Sequence, residues 1–248
     1  MYGNRENCGT SVGRGMGGWR KHSIFFELPY WQDNLIRHNL DVMHIEKNVC
    51  DNIIWTLLNV SGKTKDNLKA RLDLKELGIR KKLHPEDRLG GRKYLPPASF
   101  TLNREQKHIF LKVLKSIKSP DGFSSNISRR VQLKEHTMSG LKSHDNHVLM
   151  QHLLPLAIRR VFKRKYISKT LIELCNYFKQ LCSKNITVDE CNQLRSRIIL
   201  VLCHLEKIFL PSFFNIMEHL VVHLPDKVQI AGPVQFRRMY SVERYIKP

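Results

Sequence analysis

The strongest constraint on this chain is the helical spacing of apolar residues over its last hundred positions. Val148, Leu149, His152, Leu153 and Leu156 share one side of a stretch from Ser143 to Lys165, with Pro155 expected to kink it. Thr170-x-x-Glu173 and Thr187-x-x-Glu190 both read as capping boxes, which predict helices over 170–183 and 188–209. Pro211-Ser212 opens another apolar-periodic segment through Phe213, Ile216, Met217, Leu220 and Leu224. Beyond Pro225, Val228-Gln229-Ile230 reads as extended, and Gly232-Pro233 breaks the chain before a last segment over 234–246. Such a pattern specifies a mainly α protein, a helical array.

The upstream part is less regular. Residues 1–18 are Gly-rich and polar, without the apolar content of a core, and read as a flexible leader. Ile24 to Leu28 reads as a short extended segment closed by Pro29. Asp33 to Asn59 reads as one helix, or two with a break near Asn39, ended by Gly62 as a C-cap. A short helix is expected over Asp66–Leu77, capped by Gly78. Gly90-Gly91 and Pro96-Pro97 mark a loop or linker. A better helix spans Asn103–Ile117, with Ile109, Phe110, Val113, Leu114 and Ile117 on one face, before a turn at Pro120-Asp121-Gly122. The expected organisation is a leader over 1–18, a segment with a linker over 19–100, and a basic helical domain over 101–248.

Charge narrows the choice of partner. The chain has 42 Lys+Arg against 22 Asp+Glu, a net charge of +20. More than half of that excess, +11, lies between residues 101 and 170, where 15 basic residues face 4 acidic ones. A surplus of this size attracts polyanions, of which nucleic acid is the commonest in a cell. Arg129, Arg130, Arg159, Arg160, Lys163, Arg164, Lys165, Arg237 and Arg238 are the candidate phosphate contacts. The run at 159–165 also resembles a nuclear localisation signal. No zinc-finger, homeodomain or bZIP pattern accompanies it, so backbone affinity is expected without sequence readout. A hydrophobic content of 42% excludes a wholly disordered tail, and the apolar runs are far too short to span a bilayer. The six cysteines form no CxxC pair and read as buried thiols of a reducing compartment.

Four constellations carry potential chemistry. Asp41 and His44 share a helix face, where Asp-x-x-His serves to orient a histidine, cap a helix, or place two ligands near one metal. Ser143-His144-Asp145-Asn146-His147 is the second, with helix capping by Ser143 or Asp145 as its simplest reading. His219 and His223 have the i, i+4 spacing of zinc proteases, but no Glu follows the first His as HExxH requires. With Leu220, Val221 and Val222 between them, they read as two half-buried core histidines. Glu243 sits among Arg237, Arg238, Arg244 and Lys247, either as a salt-bridging surface acid or as a metal-binding one.

Taken together, several long stretches carry a family resemblance. FFELPYWQDNLIRHNLDVMHIEKNVCDNIIWTLLNVSGKTKDNLKARLDL resembles the C-terminal part of plant CACTA-type (En/Spm) transposases. GLKSHDNHVLMQHLLPLAIR, LPSFFNIMEHLVVHL and GPVQFRRMYSVERYIK resemble the uncharacterised helical domain that follows it. The resemblance covers about residues 19–248. It implies a partial ribonuclease-H-like transposase segment attached to the helical array, and a chemistry in which three acids hold two divalent metals, usually Mg²⁺. Asp41-Val-Met-His44 is similar to a signature near the second catalytic acid of such enzymes, and Glu243 matches the third acid and metal ligand. The first two acids of the family are expected upstream of Trp19, where this chain carries its Gly-rich leader. The resemblance therefore implies a nuclear transposase fragment with residual nonspecific DNA affinity and no catalysis of its own. The other expectation is a helical interaction module that bridges transposase subunits.

Overall fold

In the computed structural model, residues 24–37, 39–91, 93–117 and 126–237 are described. The chain divides into two units, residues 1–37 and 38–248. In the first, Ile24–Glu27 forms a single 3-10 turn rather than the extended segment expected. Local aromatic contact accounts for the difference: Phe25 stacks on Trp31 at 5.0 Å between ring centroids, and Phe26 meets the same ring edge-on at 6.5 Å. Folding the chain back on Trp31 is incompatible with a strand.

The second unit is mainly α. Helix α1 runs Val42–Leu57: the single helix expected over 33–59 is not formed. The break falls near Asn39 as the other reading had it, with Asp41 as cap and turns rather than a second helix over 28–37. Its stripe of Val42, Ile45, Val49, Cys50, Ile53, Ile54 and Leu57 is fully buried. Asn59, at φ 49°, turns the chain away after α1, ahead of Gly62. Helix α2 (Leu68–Glu76) follows from an Asn67 cap, and Gly78 at φ +67° takes the left-handed conformation expected of it. Two-residue strands β1 (Glu86–Asp87) and β2 (Lys93–Tyr94) pair antiparallel, as do β3 (Val131–Gln132) and β4 (Thr137–Met138) after helix α3 (Arg104–Ser116). Among the described residues these two ribbons are all the sheet there is. On α3 the buried face is Phe110, Leu111 and Leu114; Ile109 is exposed.

Residues 143–158 run as helix α4 (Ser143–Val148), a π-helical turn (Leu149–Leu153) and helix α5 (Leu154–Ile158). Pro155 has no N–H to return to the Gln151 carbonyl, and its ring would crowd that carbonyl in a regular α-turn; the widened turn just before it relieves both. Helix α6 (Lys165–Leu181) begins five residues before Thr170, which is not a cap. The Thr170 hydroxyl instead donates to the Tyr166 carbonyl at 3.0 Å inside the helix. Helix α7 (Val188–Ile208) does start at the Thr187–Glu190 capping box. Helices α8 (Ile216–Leu220) and α9 (Leu224–Ala231) are joined by a 3-10 turn at Val221–His223. Val228–Ile230, expected as extended, is therefore helical: Pro225 occupies the first turn of α9, where a missing N–H has no consequence.

Two buried polar links tie remote segments together. The fully buried Arg71 guanidinium donates through Nε and Nη2 to both Asp66 oxygens, and through Nη1 to the Leu83 carbonyl at 2.9 Å. Asn52 of α1 donates to Glu218 Oε1 of α8 at 2.6 Å, while Glu218 Oε2 accepts from the Asn215 amide. Breaking a buried ion pair by removing one partner leaves an uncompensated charge. Asp66→Ala should therefore lower unfolding free energy by about 3–5 kcal/mol in chemical denaturation. Burial raises the Glu218 carboxyl above its ordinary 4.5, against the lowering effect of its hydrogen bonds. The folded state then holds that proton more tightly than the unfolded chain, so stability falls as pH rises from 4.5 through the raised value. Relative to Glu218→Gln, the wild type should lose stability over that interval in pH-dependent melting.

Candidate functional site

Two features of the second unit bring chemically capable side chains together: a buried polar centre and an exposed basic loop. The centre lies where α1, α4, the π-helical turn and the end of α6 meet. Glu46, fully buried on α1, sits on the same stripe as Val42, Val49, Cys50 and Ile53, and replaces an apolar residue there. Its Oε2 lies 2.6 Å from His147 Nδ1, and its Oε1 accepts from Gln151 Nε2 at 2.9 Å. Gln151 Nε2 is also 3.0 Å from His147 Nδ1 and 3.5 Å from the Phe178 carbonyl. All three neighbours of that nitrogen are acceptors or can accept, which fixes the amide orientation.

Depending on its tautomer, His147 Nδ1 either donates to Glu46 or accepts from Gln151 Nε2. Cys182, partly buried at the C-terminal end of α6, completes the group: its sulfur, a Glu46 oxygen and a His147 nitrogen lie within 4.8 Å of one another. The His144 ring stacks beside His147 at 6.2 Å. Nearby Cys50 and Cys175 are fully buried, and desolvation pushes both thiols up, helped by Asp51 at Cys50 and by Glu46 at Cys175. They are core residues, not nucleophiles.

The basic loop joins α5 to α6. Val161 and Phe162 are buried, and the Val161 carbonyl accepts from Gln106 of α3 at 2.9 Å. Ser168 of α6 donates to the Ile158 carbonyl at 3.2 Å. The loop is thus pinned at its middle, and the helices on either side of it are tied to each other. Arg159, Arg160, Lys163, Arg164 and Lys165 flank that anchor and are all exposed. Among the described residues none of the five is in an ion pair.

The remaining candidates are dispersed. Asp41 is the N-cap of α1; its Oδ1 accepts from the Met43 amide at 2.9 Å and the His44 amide at 3.3 Å. Of the three readings open for Asp41 and His44, the structure realises capping, and the His44 side chain is exposed. Asp145 caps α4 by accepting from the Lys142 amide at 2.9 Å, as one reading of that cluster expected. His219 and His223 are exposed, not half-buried; the core position between them is Val221, and their Nε2 atoms are 3.3 Å apart. Arg129 is exposed, whereas Arg130 lies over Gly140. Arg237 donates to Asn39 Oδ1 and, at 3.1 Å, to the Gly232 carbonyl, and burial lowers its pKa. It is a structural link as much as a surface cation. Glu243 and Arg238 lie outside the described residues.

Glu46, Gln151 and Cys182 belong to none of the motifs that stand out in the sequence. The available signal was a charged residue in phase with an apolar stripe on α1, and a glutamine four residues after His147. A family model described as a domain of unknown function, DUF4218, matches residues 181–248. No curated protein and no solved structure matches the chain. Because Asn caps a helix as well as Asp does, Asp41→Asn should leave stability within about 0.5 kcal/mol of wild type, and Asp41→Ala should lose about 1 kcal/mol, by chemical denaturation.

Proposed function

We propose that this chain is a nucleic-acid-binding part of a CACTA-type transposase-like protein that works in the nucleus and does not cleave DNA by itself. The observation that carries the reading is the anchored loop at 159–165, with five exposed cations held on a buried Val161–Phe162 pair. A rigidly based cluster of this kind neutralises successive phosphates without reading bases. The matched domain over 181–248 belongs to a type found in plant transposase-like proteins, which agrees with the resemblance of the upstream stretches.

The described residues do not fit the family's Mg²⁺ site. Asp41 is committed to its cap, and the group of three potential ligands found among the described residues, Glu46, His147 and Cys182, contains a thiol that Mg²⁺ does not favour. Glu243 stays a proposed acid by resemblance alone. A ribonuclease-H-like origin for the segment before residue 100 belongs to the same proposal.

A second reading, a helical module that docks on transposase subunits, is favoured by the adjacent exposed Ile199 and Leu200 on α7. Salt separates the two. Each phosphate contact contributes a slope of about −0.9 to log affinity against log salt. Fluorescence anisotropy with a labelled duplex should give a steep salt dependence. Replacing all five loop cations with Gln should flatten the slope by about 3–4 and weaken binding at least about tenfold at 0.1 M salt. An unchanged slope in that variant would sink the DNA-binding reading, and salt-insensitive self-association would support the module.

A further inference from the structure

We propose that Glu46, His147 and Cys182 form a binding site for a divalent transition metal, zinc foremost. The three side chains come from three separate elements of the second unit, α1, α4 and the end of α6. Their donor atoms lie within 4.8 Å of one another. A tetrahedral zinc ion with bonds of about 2.0–2.3 Å holds its ligand atoms about 3.2–3.6 Å apart. Side-chain rotation of Cys182 and a slight opening of the Glu46–His147 contact bridge that difference.

The donor set selects the ion. One carboxylate, one imidazole and one thiol match zinc, cobalt or iron, whereas Mg²⁺ and Ca²⁺ take oxygen ligands and disfavour sulfur. Geometry points the same way. Glu46 Oε2 and His147 Nδ1 face each other at 2.6 Å. A metal ion placed between them takes one lone pair from each. Gln151 then remains as the outer partner, holding the other Glu46 oxygen from Nε2 at 2.9 Å. Hydrogen bonding of a ligating carboxylate by such a partner is a recurrent feature of metal sites. Three protein ligands leave a fourth position for water or a further side chain.

A competing pair exists at His219 and His223, whose Nε2 atoms are 3.3 Å apart on the surface. It offers two nitrogens and no sulfur, so spectroscopy distinguishes the two places. The full chain, stripped with EDTA under reducing conditions, is titrated with Co²⁺ and then Zn²⁺. The expected result is one equivalent of Co²⁺ with a thiolate-to-cobalt charge-transfer band, displaced by one equivalent of Zn²⁺. Cys182→Ser should abolish the band, and Glu46→Gln should weaken Zn²⁺ binding at least about tenfold, in line with loss of a ligand. His219→Ala should leave band and affinity unchanged. The wild-type spectrum decides even if a variant fails to fold. A cobalt complex without the sulfur band, a band that persists in Cys182→Ser, or binding abolished by His219→Ala would overturn the site.

Discussion

A carboxylate with no solvent exposure can remain in a helical core only where other groups take the place of water, and Glu46 shows how many are needed. Desolvating an unpaired charge is among the most expensive events in folding. Both Glu46 oxygens are engaged, one by His147 and the other by Gln151. These partners are roughly a hundred residues away in sequence, so α1 can hold its place only once α4 and the π-helical turn are present. Gln151 extends the link to α6 through the Phe178 carbonyl. The apolar residues around the centre supply most of the favourable burial, but they are interchangeable in a way that the Glu46 network is not.

Other links follow the same logic at the edges of this core. Asn52 and Glu218 join α1 to α8, and the Tyr177 hydroxyl of α6 donates to the Val221 carbonyl at 2.8 Å. Buried polar contacts are directional, whereas Leu and Ile contacts are not, so a few such bonds choose one register among several similarly packed ones. Phe100, Phe209 and Phe213 close another side of the core, with the Phe209 and Phe213 rings stacked at 4.2 Å. The geometry that presents Arg159 to Lys165 outward thus depends on contacts far from those cations.

Local chemistry explains which parts of this were readable from sequence. The Thr187–Glu190 cap on α7 and Gly78 after α2 were legible because their partners lie within a few residues. Thr170 satisfied the same capping pattern and misled, since the buried Ile167 and Ser168 carry the helix upstream of it. Pro225 misled in the opposite direction, because proline is neutral in a first turn. The two-residue strands were too short to leave a periodic signal. The site was half legible: His147 and the 159–165 run stand out as residue types, but the Glu46–His147 pairing joins positions 101 apart and no spacing encodes it.

The π-helical turn at Leu149–Leu153 has a consequence for phase. Each residue of an α-helix advances the side-chain direction by about 100°. A widened turn absorbs roughly one extra residue, so the helix resumes at Leu154 rotated by about that angle relative to an uninterrupted α-helix. His147 faces the buried centre before the turn and Gln151 within it, and Ala157 and Ile158 find the core after it. A relative one residue shorter in this turn would form a straighter helix and send its terminal arginines round to a different side. The length of this turn, rather than the number of positive charges, would then decide which way the basic edge of the protein faces.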